Sequence, residues 1–386
     1  MQRPDPLAID GVGDSSLQFD PAGIQRVLIY RLGSLGDTVA ALPSLHLVEQ
    51  AFPAARRLML TNIPVHAKAP AAAAVLEGSG LIHGYVSYPM ATRSIRELAG
   101  VWWRIRRFGP EVLIYLMGSR GEGALARDTK FFRLCGIRHI VGLPYGELGE
   151  HRFDPALNLW EQEAHRLLRC MRPLGQVDID DLRWWELRLT DAERAAARTA
   201  LAAIGDRPMI ALGPGTKMQA NDWGQENWRA LMNKLSSAFP DHALILIGAA
   251  DDADVSEYAG AGWRGPVVNL CGQLTPRQTA AVLRRAELFL GPDSGPKHLA
   301  AAQGVPCALV FGARMRPGIW YPPGKGHRVV YHTVECAGCE LEICIEKKKK
   351  CIVSVSVDEM FAAALDAWKN GRKAAGQQDL RNVRSD

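Results

Sequence analysis

The segment RLGSLGDTVAALPSL, residues 31–45, places a carboxylate, Asp37, at the end of a glycine-rich loop that directly follows an apolar stretch. Gly33, Ser34 and Gly36 give this loop a composition that usually receives phosphate, which a carboxylate would repel. A carboxylate can instead accept the proton of an attacking hydroxyl group. Asp37 is therefore a candidate general base, on a loop that would face the acceptor molecule that bears the attacking hydroxyl group. The alternative is that Asp37 only caps the following helix.

A second glycine-rich loop, LGPGTKMQANDW, occupies residues 212–223. Gly213 and Gly215 allow backbone N–H groups to approach a ligand closely, while Thr216 offers a hydroxyl group and Lys217 a positive charge. This composition favours phosphate binding. A tight turn with a solvated lysine is the alternative, and the motif alone does not decide between the two.

Residues 291–306, GPDSGPKHLAAAQGVP, join the end of a predicted strand to the start of a helix. Gly295 permits the turn, and the proline after it suits the first turn of a helix that carries His298. Backbone N–H groups and the positive end of the helix dipole would then point at an anion, beside Asp293 and Ser294. Helix capping is the alternative, but it explains one polar residue rather than the whole group.

Four of the eight cysteines lie in the segment CAGCELEICIEKKKKC, as Cys336, Cys339, Cys344 and Cys351. The first pair has the C-x2-C spacing with which two thiolates bind one tetrahedral ion, zinc or iron. The remaining gaps, C-x4-C-x6-C, are shorter than those of common zinc ribbons. A structural metal site, reduced thiols and a disulfide therefore all stay open. The run of lysines at 347–350 predicts a solvated loop.

The segment SIRELAGVWWRIRRFGP, residues 94–110, has apolar residues at helical spacing, Ile95, Leu98, Trp102 and Ile105. This pattern is typical of a helix whose apolar face joins the core, with arginine stems over its edge. The alternative is a basic patch for a phosphorylated partner at a membrane surface.

Short apolar runs alternate with amphipathic stretches along most of the chain, which predicts parallel sheets covered by helices on both faces. The predicted strands lie within 26–30, 57–62, 112–118, 139–143, 209–216, 243–249, 287–295 and 306–312, and the predicted helices within 37–52, 190–205, 225–239, 275–286 and 357–371. Pro43 should kink or delay the first of these helices.

The length of 386 residues suggests two domains, because one core of this size would be unusually large. The expected organisation is a loose leader (1–23), an N-terminal α/β domain (24–186), a linker with a helix (187–207), a C-terminal α/β domain (208–356), a closing helix (357–375) and a disordered tail (376–386). We expect the ligand cleft between the two sheets, at the carboxyl ends of their strands.

Composition excludes several classes of protein. Hydrophobic residues make up 47% and charged residues 23% of the chain, as in ordinary globular proteins. The net charge of +5 is too small to indicate nucleic-acid binding, although it would help near anionic ligands or surfaces. The first residues lack the pattern of a signal peptide, and no uninterrupted apolar stretch of about 18 residues indicates a membrane span. We expect a cytoplasmic protein whose cysteines are thiols or metal ligands.

Three segments in order, IYRLGSLGDTVAALPSL, PGTKMQANDWGQENWRAL and GPDSGPKHLAAAQGVPCALVFG, resemble the signatures of the family-nine glycosyltransferases, the ADP-heptose:lipopolysaccharide heptosyltransferases and their relatives. The resemblance spans roughly residues 24–365. It implies a GT-B fold of two facing Rossmann-like domains with a cleft between them. It also implies inverting sugar transfer that requires no catalytic metal or other cofactor, so any zinc or iron would be structural.

The resemblance also implies roles for individual residues. Asp37 matches the catalytic aspartate that deprotonates the acceptor hydroxyl. Donor contacts are implied for Thr216, Lys217, Leu274, Asp293, Ser294, Gly295 and His298. Glycosyl transfer builds negative charge on the departing diphosphate, so cations and helix N-termini on the donor side and a carboxylate on the acceptor side form a coherent arrangement.

Two positions depart from the family pattern. Many relatives have a lysine or arginine shortly before the tryptophan of the middle segment, where this chain has Asn221 and Asp222. Relatives also often carry an acid at the position of Ala249, whereas here Asp251 and Asp252 follow it. The first difference affects the expected donor geometry, and the second the expected contacts to the ribose.

The expected function is transfer of a sugar, heptose from ADP-heptose, to a cell-surface glycan precursor such as lipopolysaccharide core, with possible peripheral contact to the inner membrane. The basic patch in residues 94–110 would then lie on the acceptor side and bind a phosphorylated lipid-linked glycan. One alternative is another nucleotide sugar or a protein acceptor. The alternative from another class is a non-catalytic nucleotide-binding or scaffold protein with the same fold.

Overall fold

The computed structural model describes residues 17, 19–63, 72–89, 92, 94–118 and 120–382. Most of the predicted leader, residues 1–16 and 18, and the last four residues of the predicted tail lie outside this part of the chain. The described residues divide into two units. The first contains residues up to 179 and 183–188, and the second contains 180–182 and everything from 189 onward.

The first unit is built on a parallel sheet. Its strands are β1 (Arg26–Tyr30), β2 (Arg56–Ile63), β3 (Gly84–Pro89), β4 (Val112–Tyr115) and β5 (His139–Val141), followed by a small antiparallel pair, β6 (Phe153–Asp154) and β7 (Leu159–Trp160). Its helices are α1 (Leu35–Ala40), α2 (Leu42–Ala51), α3 (Ala73–Leu76), α4 (Ile95–Phe108), α5 (Glu122–Leu134) and α6 (Glu163–Cys170). The order of the strands that the structure describes is β3-β2-β1-β4-β5.

The second unit repeats the same plan. Its strands are β8 (Met209–Leu212), β9 (Ala243–Leu246), β10 (Val267–Asn269), β11 (Leu288–Pro292), β12 (Cys307–Phe311) and β13 (Arg328–Tyr331). Its helices are α7 (Asp191–Ala200), α8 (Gln225–Ala238), α9 (Ala253–Gly260), α10 (Pro276–Leu283), α11 (Gly295–Ala302), α12 (Lys350–Val353) and α13 (Val357–Asn382). The described strands pair in parallel in the order β10-β9-β8-β11-β12-β13.

The central strands consist almost entirely of buried apolar residues because helices cover both faces of each sheet. All four residues of β4 and of β8 are buried, as are four of the five residues of β1. Continuous apolar runs of this kind are what the alternation in the sequence predicts, and the α/β class with parallel sheets is confirmed.

Two predicted helices differ from the observed ones. The segment predicted as one helix over 37–52 forms two helices, α1 and α2, which meet at Ala41, because Pro43 fits the first turn of a new helix but not the interior of a continuous one. The closing helix is longer than predicted. It continues to Asn382 and so includes most of the segment for which the sequence predicts disorder.

The prediction that α4 places Ile95, Leu98 and Trp102 in the core is wrong. The residues of this helix that are buried are Val101 and Ile105. Their four-residue spacing forms a narrow strip, and the side chain of Ile95 is 84% exposed. Hydrophobicity at helical spacing cannot distinguish a core-facing strip from an outward-facing one when both sides of a helix carry large apolar residues.

Among the described residues, no helix is both long enough and apolar enough to cross a membrane.

The packing of the second unit's core can be tested at Trp228. Trp228 is 1% exposed and packs edge-on against Trp223, with 4.8 Å between the ring centroids. We expect Trp228→Ala to lower the free energy of unfolding of the second unit by about 3–5 kcal/mol, because a large cavity replaces the indole ring. Guanidinium unfolding followed by far-UV circular dichroism measures the change.

The matched control is Trp103→Ala, because Trp103 in α4 is 54% exposed. This substitution should change the free energy of unfolding by no more than about 0.5 kcal/mol. Similar losses for the two tryptophans would contradict the described packing.

Candidate functional site

The order of the strands fixes where ligands can bind in each unit. In the first sheet the chain proceeds from β1 outward through β2 and β3, and then returns to place β4 on the other side of β1. In the second sheet β8 and β11 take the corresponding central places. The loops that follow two such strands turn to opposite faces and leave a crevice, which is the usual ligand site of open parallel sheets.

Asp37 lies in the loop and helix that follow β1, at this crevice of the first unit. Its Oδ2 accepts hydrogen bonds from the backbone N–H of Ser34, at 2.7 Å, and from the Ser34 hydroxyl, at 2.8 Å. The capping alternative is thus realised at Asp37, which stands in the first turn of α1. The side chain is nevertheless 31% exposed, and Oδ1 takes no part in the bonds to Ser34.

Gly33 makes this folded-back position of Asp37 possible. A Cβ atom on residue 33 would lie 2.5 Å from Cβ and Cγ of Asp37, and the φ angle of +140° is one that other residues rarely adopt. The backbone N–H of Gly33 donates to Oδ1 of Asn62, at 2.8 Å. Gly36 lies buried within α1 rather than in the loop.

A buried arginine holds Asp37 from the other side. Arg31 is 3% exposed; its Nη2 donates to the backbone carbonyl of Asp37, at 2.7 Å, and lies 3.5 Å from Oδ1 of the same residue. Its Nη1 donates to the carbonyl of Leu116 in the segment after β4, at 2.7 Å. Arg31 therefore connects the segments that follow the two central strands.

A buried carboxylate, Glu163, balances the charge of Arg31. Its oxygens accept two hydrogen bonds of 2.8 Å from Arg166, and Oε1 lies 3.6 Å from Nη1 of Arg31. Burial alone would raise the pKa of Glu163, but the hydrogen bonds and charge of Arg166, with the charge of Arg31, outweigh burial and lower that pKa. The ionised carboxylate thus fixes Arg31, which in turn fixes Asp37. Sequence spacing gave no signal for this network because its members are about 130 residues apart.

In the second unit, Asp293 and Ser294 follow β11, and neither side chain caps helix α11. Ser294 precedes α11 but forms no capping hydrogen bond, and its hydroxyl oxygen is buried without a hydrogen-bond partner among the described residues. Asp293 pairs instead with Lys297, with 3.0 Å between Oδ1 and Nζ. The capping alternative is therefore wrong for this motif. The first backbone N–H groups of a helix have no partners within the helix, so those at the start of α11 suit an anion.

Lys297 and His298 are buried in α11. Lys297 is fully buried; its ammonium donates to the carbonyl of Trp320 and lies 4.9 Å from the centroid of the Phe311 ring. Burial, and next the positive charge of Lys297, hold the pKa of His298 well below its usual value of 6.5. His298 is therefore a neutral residue at physiological pH.

The loop after β8 carries Thr216 and Lys217. The Thr216 hydroxyl accepts from the backbone N–H of Met218, at 3.3 Å, which shapes a local turn, and Lys217 is exposed. Asn221, a little further along, is buried and donates to the backbone carbonyl of Asp293, at 3.2 Å, while its Oδ1 finds no partner among the described residues. Asn221 joins the loops after β8 and β11.

Asp252 and Leu274 lie in the loops after β9 and β10. A Cβ atom on Gly215 would lie 2.3 Å from Cγ of Asp252, so the carboxylate rests directly on the glycine of the loop after β8. In the sequence, Asp252 follows the position at which relatives often carry an acid, Ala249. In the fold, its carboxylate nevertheless lies against the loop after β8. Leu274 is half-buried, directly before Thr275, the N-cap of α10.

The cysteine segment packs beside these loops. The backbone N–H of Cys344 donates to Oε1 of Gln219, at 2.8 Å, and the N–H of Ala220 donates to the carbonyl of Glu342, at 3.0 Å. The prediction that the lysine run is a solvated loop is wrong at its last two residues, because Nζ of Lys349 lies 2.8 Å from Oδ2 of Asp222 and Lys350 begins α12. This ion pair brings a cation to Asp222, one of the two residues at which the middle segment departs from the family pattern.

The sulfur atoms in this segment do not form a ready metal site. Cys336, Cys339, Cys344 and Cys351 are free thiols, of which Cys344 is buried and Cys339 exposed. Within the described ranges, no group of three or more histidine, cysteine, aspartate or glutamate side chains is arranged to hold a metal ion. The structural zinc or iron stays a prediction.

Two surface cavities lie away from all of these residues. One, of about 470 Å³, is lined by Arg229, Trp263 and their neighbours on α8 and α9. The other, of about 400 Å³, lies near Pro110 and His139, at the amino ends of the first unit's strands. Neither cavity is lined by Asp37 or by a predicted donor-binding residue.

Two solved glycosyltransferase structures have the same fold as this chain. The glycosyltransferase of family 9 from Veillonella parvula DSM 2008 matches with a TM-score of 0.67 and 17% sequence identity, over 92% of this chain and 99% of that one. The ADP-heptose lipopolysaccharide heptosyltransferase II of Escherichia coli matches with a TM-score of 0.64 and 16% identity, over 90% and 100% of the two chains. These similarities confirm the predicted GT-B fold.

Sequence similarity to curated proteins is confined to part of the chain. Lipopolysaccharide heptosyltransferase 3 of Escherichia coli is 29% identical over 115 residues, which are 29% of this chain and 33% of that protein. The chain spans less than half the length of the curated relatives it matches, between 33% and 44%.

A sequence profile of glycosyltransferase family 9 (heptosyltransferase) matches residues 150–350, which contain the loops after β8, β9, β10 and β11. The loop with Asp37 lies outside the matched residues. Because the match extends over more than half of the chain, the protein belongs to glycosyltransferase family 9.

Proposed function

We propose that the protein is an inverting, metal-independent glycosyltransferase that transfers heptose from ADP-heptose to a cell-surface glycan precursor such as lipopolysaccharide core. The observation that carries the proposal is the buried hydroxyl of Ser294, directly before α11, which has no hydrogen-bond partner among the described residues. Membership of family 9 and the name of the solved Escherichia coli relative support the choice of donor.

Donor binding belongs to the second unit in this proposal. The backbone N–H groups at the start of α11, with the hydroxyl of Ser294, would bind the diphosphate. Lys217 would add a positive charge as the diphosphate departs, and Thr216 a hydroxyl group. The carboxylate of Asp252 would accept hydrogen bonds from the ribose, which is the usual partner of an acid after the second strand of such sheets.

Further donor contacts follow from the same loops. Leu274 would meet the base, and the Asp293 oxygen that is not paired with Lys297 would accept hydrogen bonds from sugar hydroxyls. Gly295 would leave room for the phosphate close to the backbone. His298 would act as a neutral, buried support of α11 rather than as a cation.

Acceptor activation belongs to the first unit in this proposal. The acceptor hydroxyl attacks the anomeric carbon, the bond from that carbon to the diphosphate breaks, and the hydroxyl proton passes to Oδ1 of Asp37. Oδ2 keeps its bonds to Ser34, so the carboxylate holds its orientation while the proton moves. Arg31 serves as a positioning residue, because it binds both the carbonyl and the carboxylate region of Asp37.

The general base has a sharp test. Asp37→Asn keeps an oxygen that can accept from Ser34 but cannot take a proton. We expect it to lower kcat by roughly 10²–10⁴-fold, the usual contribution of a positioned base, with unchanged donor affinity. Single-turnover transfer assays and calorimetric titration of ADP measure the two effects.

Ser34→Ala is the control for the capping role of Asp37. It removes the hydroxyl bond to the carboxylate but leaves the base in place, so stability should fall by about 1 kcal/mol while kcat falls less than tenfold. Equal losses of turnover in Asp37→Asn and Ser34→Ala would show that Asp37 acts only as a cap, as would full activity in Asp37→Asn.

The donor assignment has a separate test, which needs no acceptor. Among ADP-, GDP-, UDP- and dTDP-sugars at equal concentration, ADP-heptose should raise the melting temperature most, because a ligand that binds the native state stabilises it more the more tightly it binds. Gly215→Ala should weaken this effect, since a methyl group there would displace Asp252. A larger shift with another nucleotide sugar would overturn the choice of donor and leave sugar transfer in place.

The neutral state of His298 predicts the pH dependence of donor binding. Its pKa lies well below 6.5, so the residue does not gain charge as the pH falls from 8 to 6. If donor affinity does rise as the pH falls over this interval, the same rise should therefore be seen in His298→Gln. Such an increase in calorimetric titrations would mean that the imidazole is protonated at the diphosphate, contrary to its burial.

A further inference from the structure

The helix α4 is attached to the first unit along a narrow strip and presents most of its surface outward. Val101 and Ile105 are its buried residues. On the opposite side Ile95, Ala99 and Trp103 follow one another at intervals of four and so lie on one face of the helix. Ile95 is 84% and Trp103 54% exposed.

A neighbouring side chain extends this apolar surface. Trp102 is 38% exposed, and its indole N–H donates to the carbonyl of Leu134 at the end of α5, at 3.1 Å. Leu134 is itself 69% exposed. Single exposed apolar residues are ordinary on proteins, but two tryptophans, an isoleucine and a leucine side by side indicate a surface that meets a partner.

Positive charges surround these residues. The helix carries Arg96, Arg104, Arg106 and Arg107 against one acid, Glu97. The guanidinium carbon of Arg106 lies 5.4 Å from the centroid of the Trp102 ring, and that of Arg107 lies 5.3 Å from the centroid of the Trp103 ring. These contacts keep each of the two cations beside an exposed indole ring.

This combination matches the chemistry of an anionic membrane surface. Tryptophan rings favour the boundary between headgroups and acyl chains, and arginines next to them can reach lipid phosphates while their stems cover apolar surface. A helix that lies in the plane of the membrane has this arrangement of apolar residues flanked by basic ones. A purely apolar partner would leave the arginines unpaired, and a purely anionic one would leave the tryptophans exposed.

We propose that the Trp–Arg face, formed by Ile95, Arg96, Trp102, Trp103, Arg106, Arg107 and Leu134, docks the protein on a membrane rich in anionic lipids. Trp103 and Ile95 enter the interface, and the arginines bind lipid phosphates. The docking deepens the proposed function, because it would hold the unit with Asp37 at the surface that bears a lipid-linked acceptor. It is measured without donor or acceptor, so its failure leaves the transfer reaction untouched.

Co-sedimentation with sucrose-loaded vesicles tests the docking on the full chain. We expect binding to phosphatidylcholine vesicles that contain phosphatidylglycerol, little binding to phosphatidylcholine alone, and weaker binding at high salt. Arg107→Gln should lower the partition coefficient about fivefold, and Trp103→Ala roughly tenfold.

Matched controls come from the second unit. Ile343→Ala removes an apolar residue that is 63% exposed, and Arg198→Gln removes an exposed cation. Both should leave vesicle binding unchanged, and thermal melts should show that all four variants are folded. Equal binding by Trp103→Ala and the native chain, or no preference for anionic vesicles, would overturn the proposal. The proposal would also be overturned if sedimentation equilibrium showed a dimer in the absence of lipid that Trp103→Ala abolishes, because the Trp–Arg face would then bind a second copy of the chain.

Discussion

The reversal of strand order at the centre of each sheet is the constraint on which the candidate sites depend. A chain that builds a parallel sheet outward in one direction, and then returns to build in the other, must send the loops after its two central strands to opposite faces. In this protein those central strands are β1 and β4 in the first unit and β8 and β11 in the second. Except for the cysteines, the candidate residues stand in loops, or in the first turns of helices, at carboxyl ends of these sheets.

The two crevices differ in how their polar groups are satisfied. At the first, Asp37 is held by Ser34 and by the buried Arg31, so that its orientation is fixed before any substrate arrives. At the second, the Ser294 hydroxyl and the side-chain amide oxygen of Asn221 are buried without partners in the part of the chain that the structure describes. A buried polar group without a partner costs free energy, and a bound ligand can recover it. The first crevice is therefore suited to orient a reacting group, and the second to bind a ligand tightly.

Much of this architecture can be predicted from the sequence because local signals and tertiary structure agree. Strand β1 is bounded as its apolar run predicts, and Pro296 and Gly295 mark the start of α11. Prediction fails where distant parts of the chain decide the outcome. Nothing near Glu163 in the sequence indicates that it supports Arg31, and the return of Asp252 to Gly215 depends on how two loops pack.

The helix α4 shows the limit of periodicity most clearly. Its apolar residues occupy several faces, so the pattern indicates a helix but not which side is buried. The structure buries Val101 and Ile105 and exposes Trp102, which the pattern alone would place in a core. Lys349 likewise appears in the sequence as one of four similar lysines, and only the packing of the cysteine segment shows that it reaches Asp222.

A crystal structure of the protein with ADP bound tests the central claim most directly. The account predicts that the phosphates contact the backbone N–H groups at the start of α11 and the hydroxyl of Ser294, with the ribose beside Asp252. Nucleotide density elsewhere, for example in the cavity lined by Arg229 and Trp263, with the start of α11 occupied by water, would contradict it.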